Sequence, residues 1–347
     1  MQNTSHLESG AIMDQRYDAL RVWLDQTLGM APQDLQAVAG DASFRRYFRV
    51  STPDGSRIVM DAPPEKESCR AFVALTRHWH QHGLHVPALL AEDQAQGFLL
   101  LEDLGDRLYL DELTSENKVD QLYGEALRAL VRLQGLPSPP NYTLPPYDRE
   151  RLQQEMQLFP DWLLEHKLGL ALSSQEQAML ATTCATLTES ALAQPRVTVH
   201  RDYHSRNLLV TERNSPGIID FQDAVIGPIT YDAVSLLRDC YIDWPLEKVY
   251  WWLEYYRIEA REAGLHQADE ATFRQWFELM GIQRHLKACG IFARLDQRDS
   301  KPRYLADIPR ALDYIISAAR RQPALEHFGD WLAERVAPAV DPVVATP

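Results

Sequence analysis

The feature that most constrains this chain is the stretch 197–221, where short β-forming runs alternate with loops that carry acids. Val197, Thr198 and Val199 lead into a loop with the spacing H-x-D-x-x-x-x-N, in which His200, Asp202 and Asn207 are the marked positions. Leu208, Leu209 and Val210 leave it, and Gly217, Ile218 and Ile219 run into Asp220 and Phe221. Apolar runs this short, separated by polar turns, predict a small hairpin insert. Such a hairpin would bring Asp202, Asn207 and Asp220 to one edge. Two carboxylates and an amide gathered there suit phosphoryl transfer. One carboxylate orients and deprotonates a hydroxyl, while the amide oxygen and the second carboxylate hold Mg2+ against the phosphates.

The chain before this insert reads as strand-rich. A helix is predicted over 14–29, ending at Gly29, followed by a short element with Leu35 and Val38. A hairpin follows, with strands at 44–50 and 56–60 around Pro53, Asp54 and Gly55. Its small polar tip at 40–43 is suited to laying backbone N–H groups over phosphates. A helix over 66–82 and an apolar strand over 97–105 complete this part, the strand ending in an acidic, glycine-containing corner whose backbone can bond a purine edge. Beyond it, apolar periodicity predicts helices at 116–134, 148–167, 174–193, 231–239, 245–263, 270–295 and 307–321.

Five prolines between 136 and 147 predict a stiff surface loop, and the proline-containing tail after Ala337 reads as frayed. The aromatics Tyr250, Trp251, Trp252, Tyr255 and Tyr256 read as core packing. Strands first and helices afterwards describe an α+β chain with a strand-rich N-lobe, 1–105, and a mostly helical C-lobe, 106–347, not a doubly wound sheet.

A net charge of -14 over 347 residues argues against nucleic acid and against anionic membranes as partners, while leaving room for a local basic pocket. The four cysteines are scattered, with neither metal-ligand spacing nor a disulfide framework. The N-terminus has no basic and apolar leader pattern, and no apolar run approaches the ~20 residues of a membrane span. A cytoplasmic protein is the expectation.

The motif at 200–207 together with Asp220 resembles the aminoglycoside phosphotransferase and choline kinase families, small-molecule kinases with the protein-kinase-like bilobal fold. The likeness spans roughly residues 20–320. More narrowly, 40–50, 58–64, the I-D-F-Q-D-A-x-x-G-P run at 219–228 and 283–287 are similar to bacterial kinases of the anomeric hydroxyl of N-acetylmuramate and N-acetylglucosamine in cell-wall recycling.

The resemblance implies ATP and Mg2+ as cofactors and a small sugar as acceptor. It makes Asp202 the base and Asn207 and Asp220 the metal ligands. It puts Ser43, Phe44 and Arg45 at the nucleotide phosphates and gives the backbone of Glu102 and Leu104 to the adenine. Asp223, His204, Arg206 and Arg284 become acceptor contacts, and His200 and Asp232 braces of the loop. An aminoglycoside, choline or homoserine kinase, or a nucleotide-binding protein without transfer, are the alternatives.

One position departs from the fold's pattern. The strand that usually carries a phosphate-pairing Lys reads Arg57, Ile58, Val59, Met60, Asp61. Arg45, Arg46 or Lys66 is the candidate replacement cation. If the acceptor carries a carboxylate, Arg206, Arg284, Lys287 and Arg294 are the candidates to meet it.

Overall fold

The computed structural model describes residues 4–29, 35–38 and 44–344, which fall into two compact units, Met1–Asp106 and Arg107–Pro347. In the first unit, helix α1 (Thr4–Leu28) precedes strands β1 (Leu35–Val38), β2 (Arg46–Thr52) and β3 (Gly55–Asp61). Helix α2 (Arg70–Gln81) and strands β4 (Leu89–Asp93) and β5 (Phe98–Glu102) follow. The strands form one antiparallel sheet in the order β1-β2-β3-β5-β4. Helix α1 begins ten residues before the predicted start and ends as expected, with Gly29 at φ 64°.

Side chains alternate across a strand, so the register decides which face each residue serves. Phe48, Val50, Val59, Phe98 and Leu100 share the face that packs on Leu20, Trp23 and Leu24 of α1. Asp61, two residues after Val59, is therefore on the α1 side. It is fully buried and clamped by the guanidinium groups of Arg16 and Arg46. Met60, also fully buried, occupies the opposite face.

The second unit begins with α3 (Tyr109–Glu112), α4 (Glu116–Gln134) and α5 (Arg149–Leu158), which continues as a π-helical stretch, Phe159–Lys167. Helix α6 (Ser174–Leu192) starts with a capping box between Ser173 and Glu176. Then come β6 (Arg196–Val199), β7 (Leu208–Leu209), β8 (Gly217–Ile218) and β9 (Val225–Pro228), paired as two small ladders, β6-β9 and β7-β8. Helices α7 (Tyr231–Leu237), α8 (Leu246–Glu262), α9 (Glu270–Asp299), α10 (Ile308–Arg320), α11 (Glu326–Trp331) and α12 (Ala337–Val344) close the chain.

Helix α9 is the central pillar. Its Ile282, Leu286, Cys289 and Ala293 share a core with Phe159, Leu164, Leu312, Ile315, Leu332 and Val340. Two expectations fail here. The tail after Ala337 is helical, because Val340 is buried in this core. The proline-rich loop is not merely surface: Leu144 and Tyr147 are buried, and Tyr147 N–H donates to Ile226 O of β9 at 2.8 Å. Prolines rule out a central strand but not an edge that borrows a few ladder bonds. Of the aromatics on α8, Trp252 and Tyr256 are buried as packing predicts, whereas Trp251 is exposed.

Gly290 lets α9 meet α5 closely. A Cβ there would lie 2.4 Å from the backbone carbonyl carbon of Leu158. This approach also brings Glu155 of α5 within reach of Lys287 of α9. Alanine is intrinsically better in a helix by about 1 kcal/mol, but overpacking costs about 1–3 kcal/mol. Gly290→Ala should therefore lower the thermal midpoint in a melting experiment. An unchanged or raised midpoint would show that the two helices have room to part.

Candidate active site

The loop between β6 and β7 is held from beneath by buried carboxylates. Asp232, at the start of α7, accepts the His200 N–H at 2.7 Å and the Arg201 N–H at 2.9 Å. Arg201 has φ 79°, a conformation non-glycine residues avoid, so those two bonds hold a strained turn in place. Burial pushes the Asp232 carboxyl up to about 7, against the two donors that favour its charged form. Asp239 does the same for the loop's second half, accepting Ser205 N–H at 2.9 Å and Ser205 Oγ–H at 2.6 Å.

His200 joins this loop to the next one. Its Nδ1 accepts the Asp202 N–H at 3.2 Å, which puts the ring proton on Nε2, and Nε2–H donates to Ile219 O at 3.0 Å. The imidazole is fully buried, and burial drives its pKa down to about 4. A neutral ring thus bridges the residues beside Asp202 and Asp220.

The three marked residues do converge. Asn207 Nδ2 donates to Asp202 O at 3.0 Å and to Asp220 Oδ2 at 3.3 Å. Its donors are thereby spent on tying the two loops together, and Oδ1 is the end of the amide able to accept. Asp220, at φ 62°, receives Gln222 Nε2–H on Oδ1 at 2.8 Å. One amide oxygen and one carboxylate form a hard-oxygen pair too small to enclose an ion. Among the described residues no group of three or more His, Cys, Asp or Glu is placed to hold a metal. That donor set fits Mg2+, which keeps most of its shell for water and phosphate oxygens.

Asp202 is half-buried and beside a cationic network. Glu155 accepts from Arg201 and from Tyr147 OH, and Lys287 Nζ lies 3.2 Å from its Oε2 and 3.0 Å from Tyr231 OH. Burial raises the Asp202 carboxyl, but the opposing charges of Lys287 and Arg201 outweigh it and hold the group below its ordinary value. It is an ionised acceptor at neutral pH.

The residues expected at the nucleotide lie in the first unit. Ser43, with the rest of the tip at 40–43, is outside the described residues. Phe44 is 64% exposed, and Lys66 Nζ sits 5.6 Å from its ring centroid. Arg45 is buried and paired with Glu67 at 2.5 Å. Arg46, an alternative cation, is taken up by Asp61 on the α1 face. Asp61 itself does not repel a ligand, since two guanidinium groups neutralise it.

Glu102 N–H is bonded to Ala88 O at 2.9 Å, and Oε2 accepts Ala88 N–H at 3.2 Å, so both of these groups are taken up within the first unit. Leu104 is half-buried in the corner that follows. Asp103 fixes that corner through Arg49 Nε–H at 2.6 Å and Gly105 N–H at 2.9 Å.

Of the expected acceptor contacts, Asp223 is exposed. His204 is half-buried against the Tyr241 ring, and the Arg206 guanidinium lies over the same ring at 3.6 Å from its centroid. Arg284 is buried in the middle of α9. Glu155, Asp239 and Gln222 were not singled out from sequence. Only Gln222 carried a local signal, its place two residues after Asp220.

The phosphotransferase enzyme family matches residues 34–270. This chain belongs to that family. It is 44% identical to a Pseudomonas putida N-acetylmuramate/N-acetylglucosamine kinase over 332 residues, 92% of this chain and 97% of the relative. It is 45% identical to the Pseudomonas aeruginosa kinase of the same name over 331 residues, again 92% and 97%. A spectinomycin phosphotransferase solved with ADP and spectinomycin superposes with a TM-score of 0.59 at 14% identity, covering 95% of this chain and 98% of that one. The fold of this phosphotransferase is thus the protein-kinase-like one. No helix among its described residues is long and apolar enough to cross a membrane.

The neutral His200 makes this phosphotransferase acid-sensitive. Its folded pKa, about 4, lies below the ordinary 6.5, so the stabilisation is complete above 6.5 and is lost as pH falls toward 4. That window corresponds to roughly 3 kcal/mol. Melting curves from pH 7.5 to 4.5 should fall more steeply for wild type than for His200→Gln. Parallel slopes would show that His200 is not held neutral.

Proposed function

We infer that this enzyme transfers the terminal phosphate of ATP to the anomeric hydroxyl of N-acetylmuramate and N-acetylglucosamine, with Mg2+ as cofactor, in the cytoplasm. The observation that carries this is the convergence of Asp202, Asn207 and Asp220 in a chain that matches sugar kinases of that name along nearly their whole length.

Asp202 accepts the hydrogen bond of the sugar hydroxyl and takes its proton as the new P–O bond forms and the bond from the terminal phosphorus to the bridging oxygen breaks, releasing ADP. An anomeric hydroxyl is more acidic than an ordinary alcohol, so a carboxylate held ionised suffices as base. Asn207 and Asp220 would hold the metal, which would supply neutralisation of the phosphate charge. Gln222 steadies Oδ1 of Asp220, and Asn207 Nδ2–H steadies Oδ2, so the carboxylate and the amide that would share the metal are fixed to each other. On the nucleotide side, Ser43, Phe44 and Arg45 cover the phosphates, and the carbonyl of Glu102 and the N–H of Leu104 meet the adenine. Arg45, buried and braced by Glu67, supplies the cation that β3 lacks. Asp223 and His204 complete the polar rim of the acceptor site.

Phosphorus NMR of the product from ATP and N-acetylmuramate should show phosphate coupled to the anomeric proton. Coupling to any other sugar proton, or no product, would overturn the assignment. Asp202→Asn should lower kcat about 10²–10⁴-fold, the usual worth of a general base, with ADP binding by calorimetry kept. Arg45→Met should weaken ATP binding more than sugar binding; the reverse order would remove Arg45 from the phosphate site.

A further inference from the structure

Among the described residues, Arg284 is an acceptor-side cation, in the middle of α9, whose hydrogen bonding the fold leaves unfinished. It is 7% exposed on α9, and among the described residues it forms no ion pair with a carboxylate. Its Nη1 points to Cys240 Sγ at 3.8 Å, a weak acceptor, and its Nε has no hydrogen-bond partner. Cys240 does not balance the charge, because burial pushes its thiol up to about 11 and keeps it neutral. A buried guanidinium without an acceptor is costly, so folds seldom keep one unless something else completes it.

The surroundings say what would complete it. With Nη1 toward Cys240, the edge left over is Nε–H and Nη2–H, two parallel donors spaced for the two oxygens of a carboxylate. Next along the chain, Tyr241 carries His204 against its ring edge and the Arg206 guanidinium on its face. His204 Nδ1 is also buried without a partner. His204 is two residues after Asp202 on the same loop, so the cluster around Tyr241 is joined to the loop that carries Asp202.

The other candidate cations drop out. Lys287, three residues on, is bonded to Glu155 and Tyr231. Arg294 is ten residues on, about 15 Å along the helix axis.

We propose that Arg284, flanked by Arg206 and His204, is an anion subsite that grips the carboxylate of a carboxyl-bearing amino sugar. This rests on the sugar-kinase function above and deepens it. N-acetylmuramate carries an ether-linked lactate carboxylate that N-acetylglucosamine lacks. The subsite therefore acts on one of the two acceptors, and it is distinct from the groups that meet the phosphates.

The test compares kcat/KM for both sugars, and KM for ATP, in wild type, Arg284→Gln, Arg284→Lys and Arg206→Gln, with a melting curve for each. Arg284→Gln should lower kcat/KM for N-acetylmuramate about 10²-fold more than for N-acetylglucosamine, as expected for a lost buried charge pair. Arg284→Lys should fall in between, since it keeps the charge and loses the two-pronged edge. Arg206→Gln should show the same preference in smaller measure. Equal losses for the two sugars in both Arg284 variants, or a rise confined to the KM for ATP, would overturn the subsite while leaving the kinase function standing. Wild type that phosphorylates neither sugar would overturn both.

Discussion

Everything at this site depends on buried carboxylates that hold backbone N–H groups from beneath. Asp232 accepts the N–H groups of His200 and Arg201, and Asp239 accepts that of Ser205. The loop between them has no regular structure of its own, so its backbone polar groups need such partners. With the turn at Arg201 fixed, the Asp202 carboxylate and the Asn207 amide have defined positions. His200 then passes the constraint to the neighbouring loop through Ile219, and so to Asp220. A chain of local bonds thus ties the backbone of Asp202 to the side chains of Asn207 and Asp220, across two loops.

Charge balance is the second constraint. The protein as a whole carries -14, yet Asp202 sits beside Arg201 and Lys287, both anchored on Glu155. That arrangement keeps cations close enough to stabilise the ionised Asp202 carboxylate, while their own hydrogen bonds prevent them from collapsing onto it. Conversely Arg284 lacks such an anchor, and this difference separates a structural cation from one available to a ligand. The same logic applies to the carboxylate on β3. The neutralisation of Asp61 by Arg16 and Arg46 turns an apparent obstacle to phosphate binding into an internal brace of the first unit.

The parts legible in the sequence were those with local signals. The spacing of Asp202, Asn207 and Asp220 was readable because strand-formers bracket each loop. Helix α4 was readable to the residue, because its apolar period is clean over 116–134. What could not be read depends on distant partners. Glu155 is 46 positions from Arg201 and Asp239 is 34 from Ser205, so nothing near either residue announces its task. The facing of Asp61 was not legible because it is set by the register of β2 and β3. The tail beyond Ala337 was misread because its prolines spoke louder than Val340, whose burial is visible only once α9 and α10 are placed. Lys287 stayed on the same footing as Arg284 until the hydrogen bonds of each were known.

The central claim is that Asn207 and Asp220 share one metal while Asp202 faces the acceptor hydroxyl. A crystal structure of the enzyme with Mg2+, a non-hydrolysable ATP analogue and N-acetylmuramate tests it directly. The account predicts the ion on Asn207 Oδ1 and Asp220 Oδ2, with the anomeric oxygen hydrogen-bonded to Asp202. An ion held by other side chains, or a sugar whose anomeric oxygen lies away from Asp202, would contradict it.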